Sequence, residues 1–382
     1  MDLEVPYSPE VLNRLTVTLE YPQGVPVQAG ATVDVESISG GISYSLTTDG
    51  EASASTILPD GIYRVSVSDT DGIGYFSGNK DRVVVSGADV NLSLPLDYVK
   101  AMPLVIKEIY CGGCPKTPAE GTYQSDQYVI IHNNSNEVQY LDSLCLGTVA
   151  PYNSNANNPW KDKDGKLPDF LPINEAVLMV PGDGTKFPMQ PGDDAVIALR
   201  GAIDHSAQYP LSVNLNKPDY FVCYNITFFP NEMYHPAPGD QIREDHYLEV
   251  VIKTGQANAY TLSNNSPAFV IWKAKGIDIH DYVQQDGVVR ATPGGSIYVT
   301  VIPFGWVLDG VEVFNGSSSE NFKRLPATID AGYVTLRETY KGRSLMRKVN
   351  EKVSALNGYE VLMDWNNSSK DLYERDTQSL HE

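Results

Sequence analysis

Residues 15–19 (LTVTL) alternate apolar and polar positions, the two-residue period of a strand buried on one face. The alternation returns over 30–36, 42–46 and 62–68, with Gly40-Gly41, Asp49-Gly50 and Asp60-Gly61 punctuating the runs as tight turns. Two closing strands are predicted over 81–85 and 90–96. Short strands at such even spacing predict a small β-sandwich over residues 13–99, preceded by a flexible leader at 1–12.

Lys100-Ala101-Met102-Pro103 predicts a domain boundary, because it is short and ends in proline. Beyond it, strands are predicted over 104–110, 127–132, 138–146, 176–182, 190–198, 247–253, 262–272 and 296–303. Three long insertions, near 147–172, 201–248 and 280–325, separate them. Helix is scarce, with 343–356 the best candidate. The predicted fold class is therefore all-β: two tandem sandwiches, a larger second one spanning 103–382 and carrying the insertions.

Two stretches carry family resemblances. Gly30-Ala31-Thr32-Val33-Asp34-Val35, Thr48-Asp49-Gly50 and Leu58-Pro59-Asp60-Gly61-Ile62-Tyr63-Arg64-Val65 follow one another in the first domain. Their order resembles the prealbumin-like, or carboxypeptidase-regulatory-like, modules of exported Bacteroidetes proteins. The resemblance implies a spacer or docking unit without chemistry of its own. In the second domain, the strand from Ile106 to Ile109 is followed by an aromatic-led strand from Tyr128 to Asn133 and by Val138 to Leu146. Pro181-Gly182, Pro191-Gly192-Asp193, Leu262 to Trp272 and Gly342 to Arg347 complete the series. The set resembles the lamin-tail family, an immunoglobulin-like sandwich, with Ile130 in place of its strand acid and Ser266-Pro267 in place of Gly-Asp. The pairing of both modules with the closing Met363-Asp364-Trp365 is similar to an uncharacterised family of Bacteroides lipoproteins. That likeness implies export, with the protein held at the outer membrane or cell surface of a Gram-negative bacterium by a lipidated cysteine upstream of Met1.

Composition narrows the functional classes. Of 382 residues, 48 are acidic and 28 basic, a formal net charge of −20. Such a surface repels phosphate backbones and anionic lipid, so a nucleic-acid partner is not expected, and membrane contact is expected only through the lipid anchor. No stretch of about 18 apolar residues is present to span a membrane as a helix. Tyrosine is abundant at 23, against 10 Phe and 4 Trp, and its polar-tipped ring suits half-buried strands and wet binding surfaces.

Candidate chemistry is sparse. Cys111-Gly112-Gly113-Cys114 has the spacing of a thiol redox site, but Pro115-Lys116-Thr117-Pro118 follows where a helix would be needed, so a local disulfide between Cys111 and Cys114, or unpaired structural thiols, is expected. Asp162 and Asp164 form an Asp-x-Asp-Gly turn that falls short of a calcium loop's oxygen set and stays a weak metal candidate. Asp142-Ser143-Leu144 resembles a Bacteroides O-glycosylation motif, placed within a predicted strand. No sequence motif for a cofactor, a nucleophile elbow or a zinc-protease helix occurs, so neither cofactor nor catalytic residue is assigned. The middle insertion is the most suggestive segment, with Tyr209, Tyr220, Tyr224, Phe228, Phe229, Tyr234 and His235. These aromatics, with Trp160 in the first insertion, form either a stacking platform for a ligand or the insertion's own small core.

The expected function is a non-catalytic cell-surface module for binding, adhesion or presentation, with an unknown protein or glycan as partner. Two rivals stand beside it: an accessory binding lipoprotein of an outer-membrane uptake system for a glycan, haem or a metal chelate, and a hydrolase with its site between the insertions.

Overall fold

The structure is a computed structural model that describes residues 12–38, 43–70, 74–100 and 102–381. Residues 1–11 of the expected leader, the Gly40-Gly41 turn and Ala101 of the boundary lie outside the described residues. The chain separates into two compact units, 1–101 and 102–382. Both are built of β-strands, and the fold is all-β.

In the first unit the strand Leu12–Glu20 pairs antiparallel with Ser53–Pro59 and parallel with Val90–Pro95. Leu12, the last residue of the expected leader, opens this strand. A five-stranded sheet runs Ser43–Thr47, Thr32–Ser37, Gly61–Thr70, Gly74–Val85, Asp97–Lys100. Period-two alternation does the expected work. Leu15, Val17 and Leu19 point inward against Val33, Val35, Val65 and Val67, while Thr16 and Thr18 face solvent or the neighbouring serines.

The second unit is a larger sandwich. One sheet orders its six strands Phe221–Val222, Asp194–Ala198, Tyr128–Asn133, Leu104–Tyr110, Ser344–Arg347, Leu372–Arg375. The other has eight strands, centred on Phe170–Met179, Cys145–Val149, Ala268–Trp272 and Val307–Asn315. Ile106, Ile109, Val129, Ile131 and Ile197 of the first sheet meet Leu146, Leu178, Phe269, Ile271 and Val311 of the second in the central core.

Both outer faces are also covered. The middle insertion lays Ala202, Val213, Leu215 and Ile242 over Tyr110, Tyr128, Ile130 and Val196. On the opposite face the helix Ile279–Val283 and Trp306, Leu325 and Ile329 cover Val149, Ile173, Val270 and Trp272. Strands buried on both faces lose the alternation that marks a half-exposed one, which is why Tyr128–Asn133 and Ala268–Trp272 are buried at every position.

Two expectations are corrected. The 343–356 helix divides: Ser344–Arg347 is a buried strand paired with Leu104–Tyr110 and Leu372–Arg375, and only Glu351–Asn357 is helical. Asn350 caps that helix by accepting from the Val353 amide, and Gly358 ends it at φ +77°. The 138–146 strand also breaks. The Asp142 carboxylate accepts from the Gly184, Lys186 and Phe187 amides, and Ser143 turns the chain at φ +59°, so Ser143 sits in a turn and the next strand starts at Cys145. Of the two expectations for the Cys-x-x-Cys, the structure has the unpaired thiols, not the disulfide: Cys111 and Cys114 are free. Cys111 packs into the central core, while Cys114 donates toward Asp126, so the Gly112-Gly113 turn sends the two side chains to different surroundings.

Candidate ligand-binding site

A pocket of about 380 Å³ opens beside the end of the Asp194–Ala198 strand. Its framework is set by buried polar groups. Gln127 is fully buried, donates to the carbonyls of Cys111 and Leu262 and accepts from the Leu262 amide, fixing the 261–264 segment against the sheet. Arg324 pairs with Glu312 at 2.7 Å and donates to the carbonyls of Pro151, Tyr152 and Ser266, which ties the Tyr152 loop to the same place. His235 bonds the Tyr260 carbonyl through Nε2 at 2.8 Å and stacks on Phe229, latching the middle insertion to this rim. Burial holds its imidazole below the ordinary pKa, so at neutral pH it is uncharged.

On this frame the pocket's side chains converge. Asn264 donates to the Tyr340 hydroxyl at 2.7 Å, and that hydroxyl donates to Gln124 Oε1 at 3.2 Å. Tyr340 adopts φ +59°, a conformation uncommon for a residue with a side chain. Tyr152 and Thr261 share a hydroxyl–hydroxyl bond of 2.8 Å. Tyr234 is 40% exposed and lies over the Arg200 guanidinium, 4.8 Å from ring centre to Cζ. Arg200 itself is 2% exposed and donates Nη1 to the Gln124 carbonyl at 2.7 Å. Burial pulls its pKa below the usual guanidinium value. The result is a concave, mainly polar wall that includes the side chains of Tyr152, Tyr234 and Tyr340.

The aromatic residues of the middle insertion have separate fates. Phe229 is in the central core, Tyr220 and Tyr224 pack on the outer face of the six-stranded sheet, and Tyr209 lies against Tyr123 at 4.4 Å. Phe228 is on the surface. Only Tyr234 of these aromatics reaches the pocket, and His235 is a latch. Trp160 is elsewhere, edge-on to Phe170 at 5.7 Å, in the wall of a shallow groove of about 1140 Å³ that also includes Asp162. Asp162 Oδ1 accepts from the Asp164 and Lys166 amides and so closes its own turn. Gln124, Tyr152, Arg200, Asn264 and Tyr340 carried no sequence signal of their own.

A second polar cluster lies on the six-stranded sheet. His132, Asp194 and Glu360 bring ligand atoms within 4.8 Å of one another, a metal-like grouping. Lys107, displaced by a bulge in its strand, puts Nζ 2.5 Å from Asp194 and 2.6 Å from Glu360. Burial alone would raise Asp194, but the bonds from His132 and Lys107 outweigh it and hold the carboxyl below its ordinary value. The ammonium supplies the positive charge a cation would bring, and the cluster reads as an internal staple.

Residues 190–379 match the family model described as "Protein of unknown function (DUF4876)". The chain is also similar to a DUF4876 family protein from Bacteroides thetaiotaomicron, with 25% identity, a TM-score of 0.60 and 94% of each chain covered. Both findings support likeness to a Bacteroides family of unknown function. The DUF4876 match spans Arg200, Tyr234, Thr261, Asn264 and Tyr340, while Gln124 and Tyr152 precede it. Fainter likenesses carry no argument: a DUF3823 family protein from Parabacteroides merdae (12% identity, TM-score 0.19, 36% of this chain and 65% of that one) and the Bacillus anthracis TIE protein (14%, 0.20, 47% and 26%). No curated protein matches the sequence.

Proposed function

We propose that this chain is an exported, non-catalytic binding module of the bacterial cell surface, anchored through lipid, and that it holds a small polar ligand in the Tyr234–Arg200 pocket. One observation carries the reading: a partly exposed ring over a buried guanidinium and several polar side chains hydrogen-bonded to one another converge on one concave site. The titratable groups support binding over nucleophilic chemistry. His132, His205, His235 and His246 each bond a backbone carbonyl, and burial pushes the Cys111 and Cys114 thiols up to about 12. The family likeness supports the setting, and the large Trp160 groove supports a second reading in which the module feeds an outer-membrane uptake system with a bulkier glycan or haem.

The test is calorimetric binding of the full chain to a panel of glycans, haem and metal chelates, repeated with Tyr234→Ala and Trp160→Ala. Saturable binding lost in Tyr234→Ala supports the pocket. Loss in Trp160→Ala alone moves the site to the groove, and turnover of any panel member sinks the non-catalytic reading.

A further inference from the structure

Three arginines are fully buried among the described residues, and the protein treats them differently. Arg324 has Glu312 at 2.7 Å. Arg347 has Asp309 at 2.5 Å, Asp364 at 3.2 Å and Asp371 at 3.7 Å. Arg200 has no carboxylate within ion-pair distance among the described residues. Its one hydrogen bond is Nη1 to the Gln124 carbonyl, and Nε is buried without a partner. Asp126 is the buried acid that acts on it from farther off; Asp126 Oδ2 is taken by Tyr110, Cys114 and Ser212, and its Oδ1, like Arg200 Nε, is buried without a partner, so the two charges face each other without a direct bond. A buried charge left unpaired costs several kcal/mol, a cost that folds avoid unless something else uses the charge.

Resting on the binding role proposed above, we infer that Arg200 is the anion-recognising group of the pocket and that the ligand is a carboxylate-bearing sugar. The guanidinium is a planar fork matched to a carboxylate, and a bond between two charged groups is about twice as strong as a neutral one. The rest of the wall suits a sugar. Tyr234 and Tyr152 line it with apolar ring surface, and the Asn258 and Asn264 amides, Gln124 and Thr261 line it with groups that can donate to or accept from hydroxyls. The chain's net charge of −20 works against any anion at long range. That field is screened beyond about 8 Å at physiological salt, whereas a buried guanidinium in contact is not.

Calorimetry on the full chain compares galacturonate with galactose, which differ in the carboxylate, and with inorganic phosphate, using wild type, Arg200→Met and Tyr234→Ala. Galacturonate is expected to bind at least about tenfold more tightly than galactose. Arg200→Met is expected to bring the two sugars level while leaving the thermal midpoint unchanged or higher, since methionine fills the space without a buried charge. A fall of several degrees in that variant would make Arg200 a structural strut and overturn the inference. Equal affinity for both sugars, with binding lost in Tyr234→Ala, would overturn the anion assignment but keep the binding role. Phosphate displacing galacturonate at equal concentration would reduce the site to a bare-anion pocket and overturn the sugar. If no sugar or phosphate binds, the inference fails, and the broader glycan, haem and chelate panel decides the binding role separately.

Discussion

Asp371→Asn offers a stability measurement whose sign and size follow from the structure. Asp371 is 1% exposed and shares Arg347 with Asp309 and Asp364, so three carboxylates surround one guanidinium. Burial is the largest influence and raises Asp371 from 3.8 to about 6, with Arg347 offsetting part of it. Asp364 is shifted upward for the same reason, with Asp309 and Asp371 adding repulsion. The folded state thus holds a proton on Asp371 at pH values where the unfolded chain has lost it. Stability from this group is full below about pH 4 and is lost as pH rises through about 6, and a shift of some two units corresponds to about 3 kcal/mol. Asparagine mimics the protonated acid. Its oxygen can keep the Trp365 and Asn367 amide bonds, and its amide takes the place of Oδ1, which is buried without a partner. The stability of Asp371→Asn relative to wild type should therefore improve by about 3 kcal/mol between pH 4 and pH 7.5. Urea titrations followed by tryptophan fluorescence report on the right unit, since all four tryptophans (Trp160, Trp272, Trp306 and Trp365) lie after residue 101. The buried neutral histidines His205 and His235, whose lowered pKa values favour higher pH, cancel in the subtraction. A difference that stays flat with pH, or falls as pH rises, would refute the reasoning.

Other consequences are direct. Glu312→Ala should cost about 3–5 kcal/mol in the same titration, because it strands the fully buried Arg324 guanidinium, whereas Glu312→Gln should cost less. Tyr234→Ala should cost about 2 kcal/mol, the worth of a cation–π contact to a desolvated guanidinium and too little to unfold the domain, so a thermal midpoint still above the assay temperature separates lost binding from unfolding. The four buried thiols should resist a thiol-reactive dye at pH 8 until denaturant is added, then react together; fast labelling of Cys111 or Cys114 in the native protein would contradict their placement.

The all-β class was legible because strands such as Leu12–Glu20 bury alternate residues and show it in the sequence. Ser344–Arg347 was misread because a strand buried on both faces shows no alternation, and its apolar run continues toward a genuine helix. The pocket was legible only at Tyr234. Tyr220, Tyr224 and Phe229 have the same residue types nearby in sequence, and only packing separates a rim ring from a core ring. Arg200 follows an apolar strand and reads in sequence as an ordinary surface cation; that it is buried without an acid is a property of the fold. Gln124 and Tyr340 meet across 216 positions, a distance no local pattern spans.

The central claim is tested most directly by a crystal structure of the full chain soaked with the tightest ligand of the binding panel. The account predicts that ligand seated between Tyr234 and the Gln124–Tyr340 pair, with its acidic group within hydrogen-bond reach of Arg200. A ligand found in the Trp160 groove, or one cleaved in the crystal, would contradict it.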